Sequence, residues 1–281
     1  MNRPIGVIDS GIGGLTVLKK LQAYLPYENF IYFADTAHLP YGNKTPQQIF
    51  SYVKAILTWM EEQSVKLVVM ACNTSSALIL HDMQKIFQFP IVGLITPTTE
   101  IHALRNKRFG LMATEATVKS GAYENAFKRI NPKVTFHSVA CPALVPLIEE
   151  NRIEEEAMKV AVQSYVQILL DKGIDALIYG CTHYPYLSSI IRDMLPQEVE
   201  ILDPADAVFK VVDEKLQYHT LKRSACVNAH IHFYTSSHPQ KFSEAASRYL
   251  ARSIQANQIR PENIMVQGDP LIFPQTCFSS M

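Results

Sequence analysis

Two short apolar runs, at matching places in the two halves of the chain, each end in a cysteine that small polar residues follow. Residues 67–71 precede Cys72, and residues 176–180 precede Cys181. An apolar run of about five residues that leads into helix-opening polar residues is typical of a buried parallel strand at its carboxyl end. Ligands of open α/β sheets bind at that end. The pattern therefore predicts two domains that face one another, with one sulfur on each side of a shared cleft.

The rest of the chain alternates between strand-like apolar runs and amphipathic stretches with helical periodicity. This rhythm predicts an α/β fold with two similar lobes, each a mainly parallel sheet flanked by helices. The predicted strands are 5–8, 30–33, 67–71, 91–93, 109–113, 134–136, 176–180, 200–202 and 231–234. The predicted helices are 14–24, 46–62, 76–86, 119–130, 153–170, 205–218 and 240–251. We expect residues 1–97 with 208–281 to form the first domain and 98–207 the second, and the final thirty residues to be loop and tail.

Composition and charge favour a soluble enzyme over a nucleic-acid or membrane protein. The 281 residues carry 26 acidic and 26 basic side chains, so the formal net charge is zero and nothing predicts binding to nucleic acid or to an anionic membrane. The five cysteines are an odd number and widely scattered, which favours free thiols in a reducing compartment. No apolar stretch is long enough for a signal peptide or a spanning helix. We therefore expect a cytoplasmic location.

Four other segments carry polar residues that could contact a ligand. Asp9 and Ser10 end the first strand before a glycine cluster, which lets backbone amides approach an anion. A tight turn from strand to helix is the simpler explanation of the glycines, and a helix cap would explain Asp9. The Pro-Tyr-Gly segment with Tyr41 and Gly42 follows the second strand and is also typical of a simple turn. The other two segments are the helix start that carries Thr117 and the acidic pair at 149–150.

The five cysteines divide by their surroundings. Free cysteine is usually inert packing, and the residues predicted to be so are Cys141, Cys226 and Cys277. Cys72 and Cys181 are expected near helix N-termini, where the thiolate is favoured. Each also has a titratable companion, Asp9 for Cys72 and His183 for Cys181. A zinc site and a catalytic disulfide remain alternatives, although neither a CxxC nor an HxxxH spacing supports them.

These motifs together resemble those of bacterial glutamate racemase. The matching segments are Asp9-Ser10-Gly11 with Gly13-Gly14, Pro40-Tyr41-Gly42, Ala71-Cys72-Asn73-Thr74 and Gly180-Cys181-Thr182-His183-Tyr184-Pro185, in the same order and over most of the chain. The resemblance implies an isomerase that interconverts L- and D-glutamate without a cofactor or a metal and supplies D-glutamate for peptidoglycan. It also implies two lobes related by pseudo-twofold symmetry, an active site in the cleft between them, and a homodimer.

The resemblance also implies a role for each matching residue. Cys181 would deprotonate L-glutamate and Cys72 would deprotonate D-glutamate, because two opposed thiols can exchange the roles of general base and general acid. Asp9 and His183 would assist the respective sulfurs, and Glu150 would support His183. The residues assigned to glutamate binding are Asp9, Ser10, Tyr41, Gly42, Asn73, Thr74, Thr117, Thr182 and His183. The chain departs from the family pattern at His38, where many relatives carry arginine.

Two other kinds of function stay open from the sequence. One is a racemase of another acidic amino acid, or a decarboxylase or hydantoin-type enzyme of the wider superfamily. The other is a non-catalytic or second-function protein that binds glutamate or a partner, because some glutamate racemases act on gyrase as well. A turnover assay separates these alternatives from a glutamate racemase.

Overall fold

Ten parallel strands form two separate sheets in a computed structural model that describes residues 3–223 and 229–260. In chain order the strands are β1 (Ile5–Asp9), β2 (Phe30–Ala34), β3 (Leu67–Met70), β4 (Ile91–Gly93), β5 (Arg108–Ala113), β6 (Thr135–Ala140), β7 (Ala176–Gly180), β8 (Glu200–Leu202), β9 (Ile231–Thr235) and β10 (Ala256–Gln258). The first sheet has the order β10-β9-β2-β1-β3-β4, and the second has the order β6-β5-β7-β8. This architecture confirms the two-lobed α/β prediction.

Helices connect the strands and cover the sheets. They are α1 (Leu15–Tyr24), α2 (Pro46–Glu62), α3 (Asn73–Ile86), α4 (Ile95–His102), α5 (Glu115–Ser120), α6 (Ala122–Ile130), α7 (Leu144–Glu149), α8 (Glu156–Leu170), α9 (Ser188–Met194), α10 (Ala205–Tyr218) and α11 (Pro239–Leu250). Short 3₁₀ turns occupy Tyr41–Asn43 and Tyr184–Leu187. None of the helices in the two described ranges is both long and apolar enough to cross a bilayer.

Local sequence explains where the best-predicted helix begins. Pro46 stands at the first position of α2, and Thr45 and Gln48 form a reciprocal capping box around it. The structure confirms the predicted bounds 46–62 for this helix and 205–218 for α10.

Three predicted elements differ from the structure for identifiable reasons. The helix predicted at 119–130 is two helices, because Gly121 adopts a left-handed conformation with φ +62° between α5 and α6. Helix α3 begins at Asn73 rather than at residue 76, with Cys72 as its cap residue. The tail predicted from residue 252 contains the short strand β10, which pairs with β9.

Buried apolar side chains of the two lobes pack together in one core cluster. Val7 and Leu15 of the first lobe belong to the same core cluster as Leu177 and Val212, which lie on β7 and α10. The predicted domain boundaries at 97/98 and 207/208 fall inside α4 and α10 and stay a prediction. Because all strands of a sheet are parallel, their carboxyl ends lie along one edge, and Asp9 is in register with Ala34 and Ala113 with Gly180.

Candidate active site

A narrow pocket lies where the carboxyl ends of the two sheets meet. Its walls are Ser10, Pro40, Tyr41, Gly42, Cys72, Asn73, Thr74, Thr114, Val145, Cys181, Thr182 and His183. Cys72 directly follows the residue after β3 in the first sheet, and Cys181 directly follows β7 in the second. The cavity volume is about 10 Å³, which is room for about one water molecule. The structure thus brings one thiol from each lobe to the same pocket.

The Cys72 thiol sits at the N-terminus of α3 among groups that act on it in opposite directions. Burial and the neighbouring Asp9 raise the pKa of Cys72 to about 12, although the backbone N–H groups of Ser75 and Thr74 act to lower it. Burial also raises the pKa of Asp9, against the lowering effects of the His183 charge and of the Gly11 N–H. The sequence predicted a favoured thiolate here. In the structure the raised pKa of Cys72 instead favours the thiol, the form that can donate a proton.

The Cys181 thiol faces a histidine that is itself held by a carboxylate. Nδ1 of His183 lies 3.6 Å from Sγ of Cys181, and Nε2 of His183 lies 2.7 Å from Oε1 of Glu149. Burial alone would lower the pKa of His183, but the hydrogen bonds and charges of Cys181 and Glu149 outweigh it and hold the pKa well above its usual value. A protonated imidazole therefore places a hydrogen-bond donor and a positive charge beside the Cys181 sulfur.

The carboxylate beside His183 is not the one that the sequence predicted. Glu149 ends α7 with its side chain turned toward His183, whereas Glu150 lies after the helix and pairs with Arg152 at 3.0 Å on the surface. The assignment of Glu150 as support for His183 is therefore wrong by one residue. Neighbouring residues at a helix end point in different directions, and no periodicity in the sequence distinguishes the two glutamates.

Asp9, and Glu149 which holds His183, each also accept a hydrogen bond from the opposite lobe. Thr182 donates from Oγ1 to Oδ2 of Asp9 at 3.1 Å, and the backbone N–H of Ile12 donates to Oε1 of Glu149 at 3.1 Å. Gly13 permits this close approach, because a Cβ atom there would lie 2.3 Å from Oγ1 of Thr182 and 2.5 Å from Nδ1 of His183. The two halves of the pocket are therefore hydrogen-bonded to one another.

Comparison with known proteins assigns this arrangement to a family. A family model described as Asp/Glu/hydantoin racemase matches residues 5–212. A glutamate racemase of Picosynechococcus sp. is 45% identical over 268 residues, which cover 95% of this chain and 96% of that protein. The chain belongs to the glutamate racemase family. As a member of this family it is an isomerase.

Solved structures agree with the family assignment. The glutamate racemase of Francisella tularensis, crystallised in complex with D-glutamate, is 33% identical and superimposes with a TM-score of 0.86 over 93% of this chain and 99% of that one. A glutamate racemase of Bacillus anthracis is 31% identical and gives the same TM-score over 92% of this chain and 97% of that one. The two-lobed fold is thus the fold of the glutamate racemase family.

The structure places most of the predicted binding residues of this racemase in the pocket wall. Those that line it are Ser10, Tyr41, Gly42, Asn73, Thr74, Thr182 and His183. Asp9 is fully buried behind the pocket. Thr117 is absent from the lining residues but lies 3.3 Å from Thr74 between their hydroxyl oxygens. Their roles toward a substrate stay predictions.

Sequence reasoning missed Thr114, which lines the pocket and joins the two lobes. Its hydroxyl lies 2.9 Å from that of Thr74 and 2.9 Å from that of Thr117. Thr114 also caps α5 by accepting from the N–H of Thr117. The capping position directly after a predicted strand was the available signal, because it places the side chain at the ligand-binding edge.

His38 lies outside the pocket wall but is connected to it. Its Nδ1 lies 2.9 Å from both carboxylate oxygens of Asp35, and its ring stacks on Tyr52 at 3.6 Å between centroids. The same carboxylate accepts from the Tyr41 hydroxyl at 2.6 Å. The histidine thus belongs to the network that fixes a pocket-lining tyrosine.

The surroundings of the other cysteines and the alternative of a zinc site can be assessed for the residues that the structure describes. Cys141 is buried and has a free thiol, as do Cys72 and Cys181. Cys226 and Cys277 lie outside the described residues. Within residues 3–223 and 229–260, no group of three or more His, Cys, Asp or Glu side chains has a geometry that could hold a metal ion.

Proposed function

We propose that the chain interconverts L- and D-glutamate by proton transfer through Cys72 and Cys181, without a cofactor. The observation that carries this proposal is the pocket itself, in which two thiols from two lobes each face an ionisable partner, Asp9 or His183. Racemisation requires removal of the α-proton from one face and delivery of a proton to the other. Two opposed thiols supply both groups, and one fixed group with a single proton does not.

In the proposed reaction from L-glutamate, the Cys181 thiolate takes the α-proton while the Cys72 thiol donates its proton to the opposite face. The product is D-glutamate, with Cys72 as thiolate and Cys181 as thiol, and the reverse reaction restores the starting state. His183 and Glu149 hold the charge beside Cys181, which agrees with the raised pKa of His183. The raised pKa of Cys72 agrees with its role as proton donor in this direction.

Glutamate as substrate rests on the relatives. The Francisella tularensis structure is in complex with D-glutamate, and the Escherichia coli glutamate racemase, 26% identical to this chain, is in complex with L-glutamate. The pocket offers hydroxyl and amide groups such as Ser10, Asn73 and Thr74, which suit carboxylates. We further propose that the enzyme supplies D-glutamate for peptidoglycan, works in the cytoplasm and forms a homodimer.

Solvent exchange tests the mechanism most directly. We expect deuterium from heavy water at Cα of the D-glutamate formed from L-glutamate, and of the L-glutamate formed from D-glutamate, without added cofactor. Circular dichroism of a panel of amino acids then establishes the substrate, and turnover of another acidic amino acid in place of glutamate would contradict the substrate assignment.

Substitution of the two thiols tests their roles. We expect Cys72→Ser and Cys181→Ser each to lower racemisation in both directions by roughly 10²-fold to 10⁴-fold, the usual contribution of a general acid or base. Cys141→Ala is the matched control, because Cys141 is a buried free thiol outside the pocket wall, and we expect it to retain activity. Normal turnover by either serine variant would contradict the two-thiol mechanism.

A further inference from the structure

The side-chain amide of Asn73 is hydrogen-bonded at its oxygen but not at its nitrogen within the described residues. The residue is 2% exposed and lines the pocket. Its Oδ1 accepts a hydrogen bond from the Tyr123 hydroxyl at 2.5 Å, while its Nδ2 has no hydrogen-bond partner in residues 3–223 or 229–260. Buried amide groups are normally paired, so a lone donor in a pocket wall indicates a position where a ligand supplies the acceptor.

The partner of Asn73 comes from the other lobe. Tyr123 lies on α6, which packs beside the second sheet, and its side chain is 1% exposed. Its hydroxyl reaches the first residue of α3 in the first lobe. Burial, reinforced by the charges of Asp203 and Cys181, raises the pKa of Tyr123 well above its ordinary value, so the hydroxyl keeps the proton that it donates.

This bond decides which end of the amide is available to the pocket. The carbonyl oxygen of asparagine only accepts and its NH₂ group only donates. A donor on the side of Tyr123 therefore holds Oδ1 there and leaves Nδ2 as the end without a protein partner. The opposite orientation would present an acceptor, which repels a carboxylate.

We propose that Tyr123 is a positioning residue, whose hydrogen bond to Oδ1 of Asn73 fixes the amide so that Nδ2 donates to a carboxylate of the bound amino acid. This inference rests on the proposed function, since it assumes an acidic amino acid in the pocket. Tyr123 touches neither the substrate nor the reacting atoms. Its effect is on substrate binding through Asn73.

Steady-state kinetics of Tyr123→Phe test the proposal. Loss of the orienting bond lets the amide turn, so we expect KM for glutamate to rise roughly fivefold to tenfold, the effect of one neutral hydrogen bond, while kcat stays within about twofold. Tyr179→Phe is the matched control. Tyr179 is 2% exposed, and its hydroxyl faces Ser188 and not Asn73 or another residue of the pocket wall. We expect this variant to keep the wild-type KM and kcat.

A double variant separates positioning from a general structural effect. If Tyr123 acts through Asn73, adding Tyr123→Phe to Asn73→Ala changes KM by less than about twofold, since contacting residues that act as a unit are not additive. The proposal would be overturned if Tyr123→Phe raised KM equally in the wild-type and the Asn73→Ala backgrounds. It would also be overturned if Tyr123→Phe alone left KM unchanged.

Asn73→Asp tests the orientation without altering Tyr123. The aspartate can still accept from Tyr123 but presents an oxygen instead of Nδ2, so we expect a larger rise in KM than Asn73→Ala causes. A smaller rise would overturn the proposal, even if Tyr123→Phe failed to fold. Wild-type protein that does not racemise glutamate would overturn the proposed function and this inference with it, whereas active wild type with an unaffected Tyr123→Phe would overturn the inference alone.

Discussion

At the residue scale, the neighbouring glutamates 149 and 150 offer a controlled test of how His183 keeps its proton. The Glu149 carboxylate is among the groups that raise the pKa of His183. Glu149→Gln removes that charge, so the pKa falls and His183 loses its proton at a lower pH. We expect the alkaline limb of the profile of kcat/KM against pH to move to lower pH. We also expect kcat to fall roughly tenfold to hundredfold, the effect of one hydrogen bond to a charged group.

Glu150→Gln provides the control for this measurement. Glu150 is adjacent in sequence, but its carboxylate pairs with Arg152 at the surface. Glu150→Gln removes one negative charge by the same replacement of a carboxylate oxygen with an NH₂ group. We expect it to keep the wild-type profile of kcat/KM against pH. If Glu149→Gln and Glu150→Gln gave the same profile of kcat/KM against pH, the pKa of His183 would not depend on Glu149.

Gly13 is a residue at which the two lobes approach one another closely beside Cys181. In Gly13→Ala the new methyl group would lie 2.3 Å from Oγ1 of Thr182 and 2.5 Å from Nδ1 of His183. One of these groups must move, and displacement of about 1 Å near reacting atoms can cost roughly 10²-fold in rate. We expect a loss of kcat of that order with the far-ultraviolet circular dichroism spectrum unchanged. A variant with wild-type kcat would show that the site tolerates a wider gap.

At the scale of single elements, a buried ion pair fixes the chain that returns to the first sheet after α10. Lys66, just before β3, pairs with Glu28, and its Nζ also donates to the carbonyl oxygen of Leu221 at 2.8 Å. The other oxygen of Glu28 accepts from the N–H of Arg223 at 2.9 Å. This cluster lies at the amino ends of the strands, away from the pocket.

Removal of one partner of this pair should therefore affect stability and not catalysis. We expect Lys66→Met to lower the free energy of unfolding by about 3–5 kcal/mol, because it leaves Glu28 buried without its counter-charge. Asp175→Asn in the exposed pair with Arg108 is the control and should cost at most about 1 kcal/mol. Denaturant midpoints measure both effects. Equal midpoints for the two variants would contradict the assigned importance of the buried pair.

The elements differ in how well the sequence predicts them, and the physical cause is periodicity. Helix α2 has a cap, a first-turn proline and a long amphipathic pattern, so local chemistry determines both of its ends. Strand β10 has three residues, two of them exposed, and only its pairing with β9 makes it a strand. The thiols were predictable because each follows a strand. Glu149 was not, since no periodicity relates it to His183, which lies 34 residues away on another element of the same lobe. Tyr123 was not, since its partner Asn73 comes from the other lobe.

At the scale of the whole molecule, the pocket is closed by contacts between the lobes. The cavity of about 10 Å³ is room for about one water molecule, and the bonds from Thr182 to Asp9 and from Ile12 to Glu149 join the two lobes. We therefore expect the lobes or the pocket loops to separate when glutamate enters. Because residues of both lobes line the pocket, we expect the bound substrate to contact both lobes and to add to the contacts that hold them together.

Ligand binding should consequently stabilise the entire chain. In the Cys72→Ser/Cys181→Ser double variant, which does not interconvert the enantiomers, we expect both L- and D-glutamate to raise the thermal midpoint. A concentration of one hundred times Kd corresponds to about 2.7 kcal/mol. L-alanine, which lacks the side-chain carboxylate, is the control. Equal shifts with alanine and glutamate would contradict recognition of that carboxylate.

The hydrogen bonds from Thr182 to Asp9 and from Ile12 to Glu149 also restrict how such a gene can recombine. A crossover that imported only residues 108–202 from a distant relative would bring Thr182, His183 and Glu149 against a foreign segment 9–14. The hybrid would carry both thiols, but the residues that hydrogen-bond between the lobes beside them would come from different parents. Functional hybrids should therefore inherit segment 9–14 and the stretch 149–183 from the same parent.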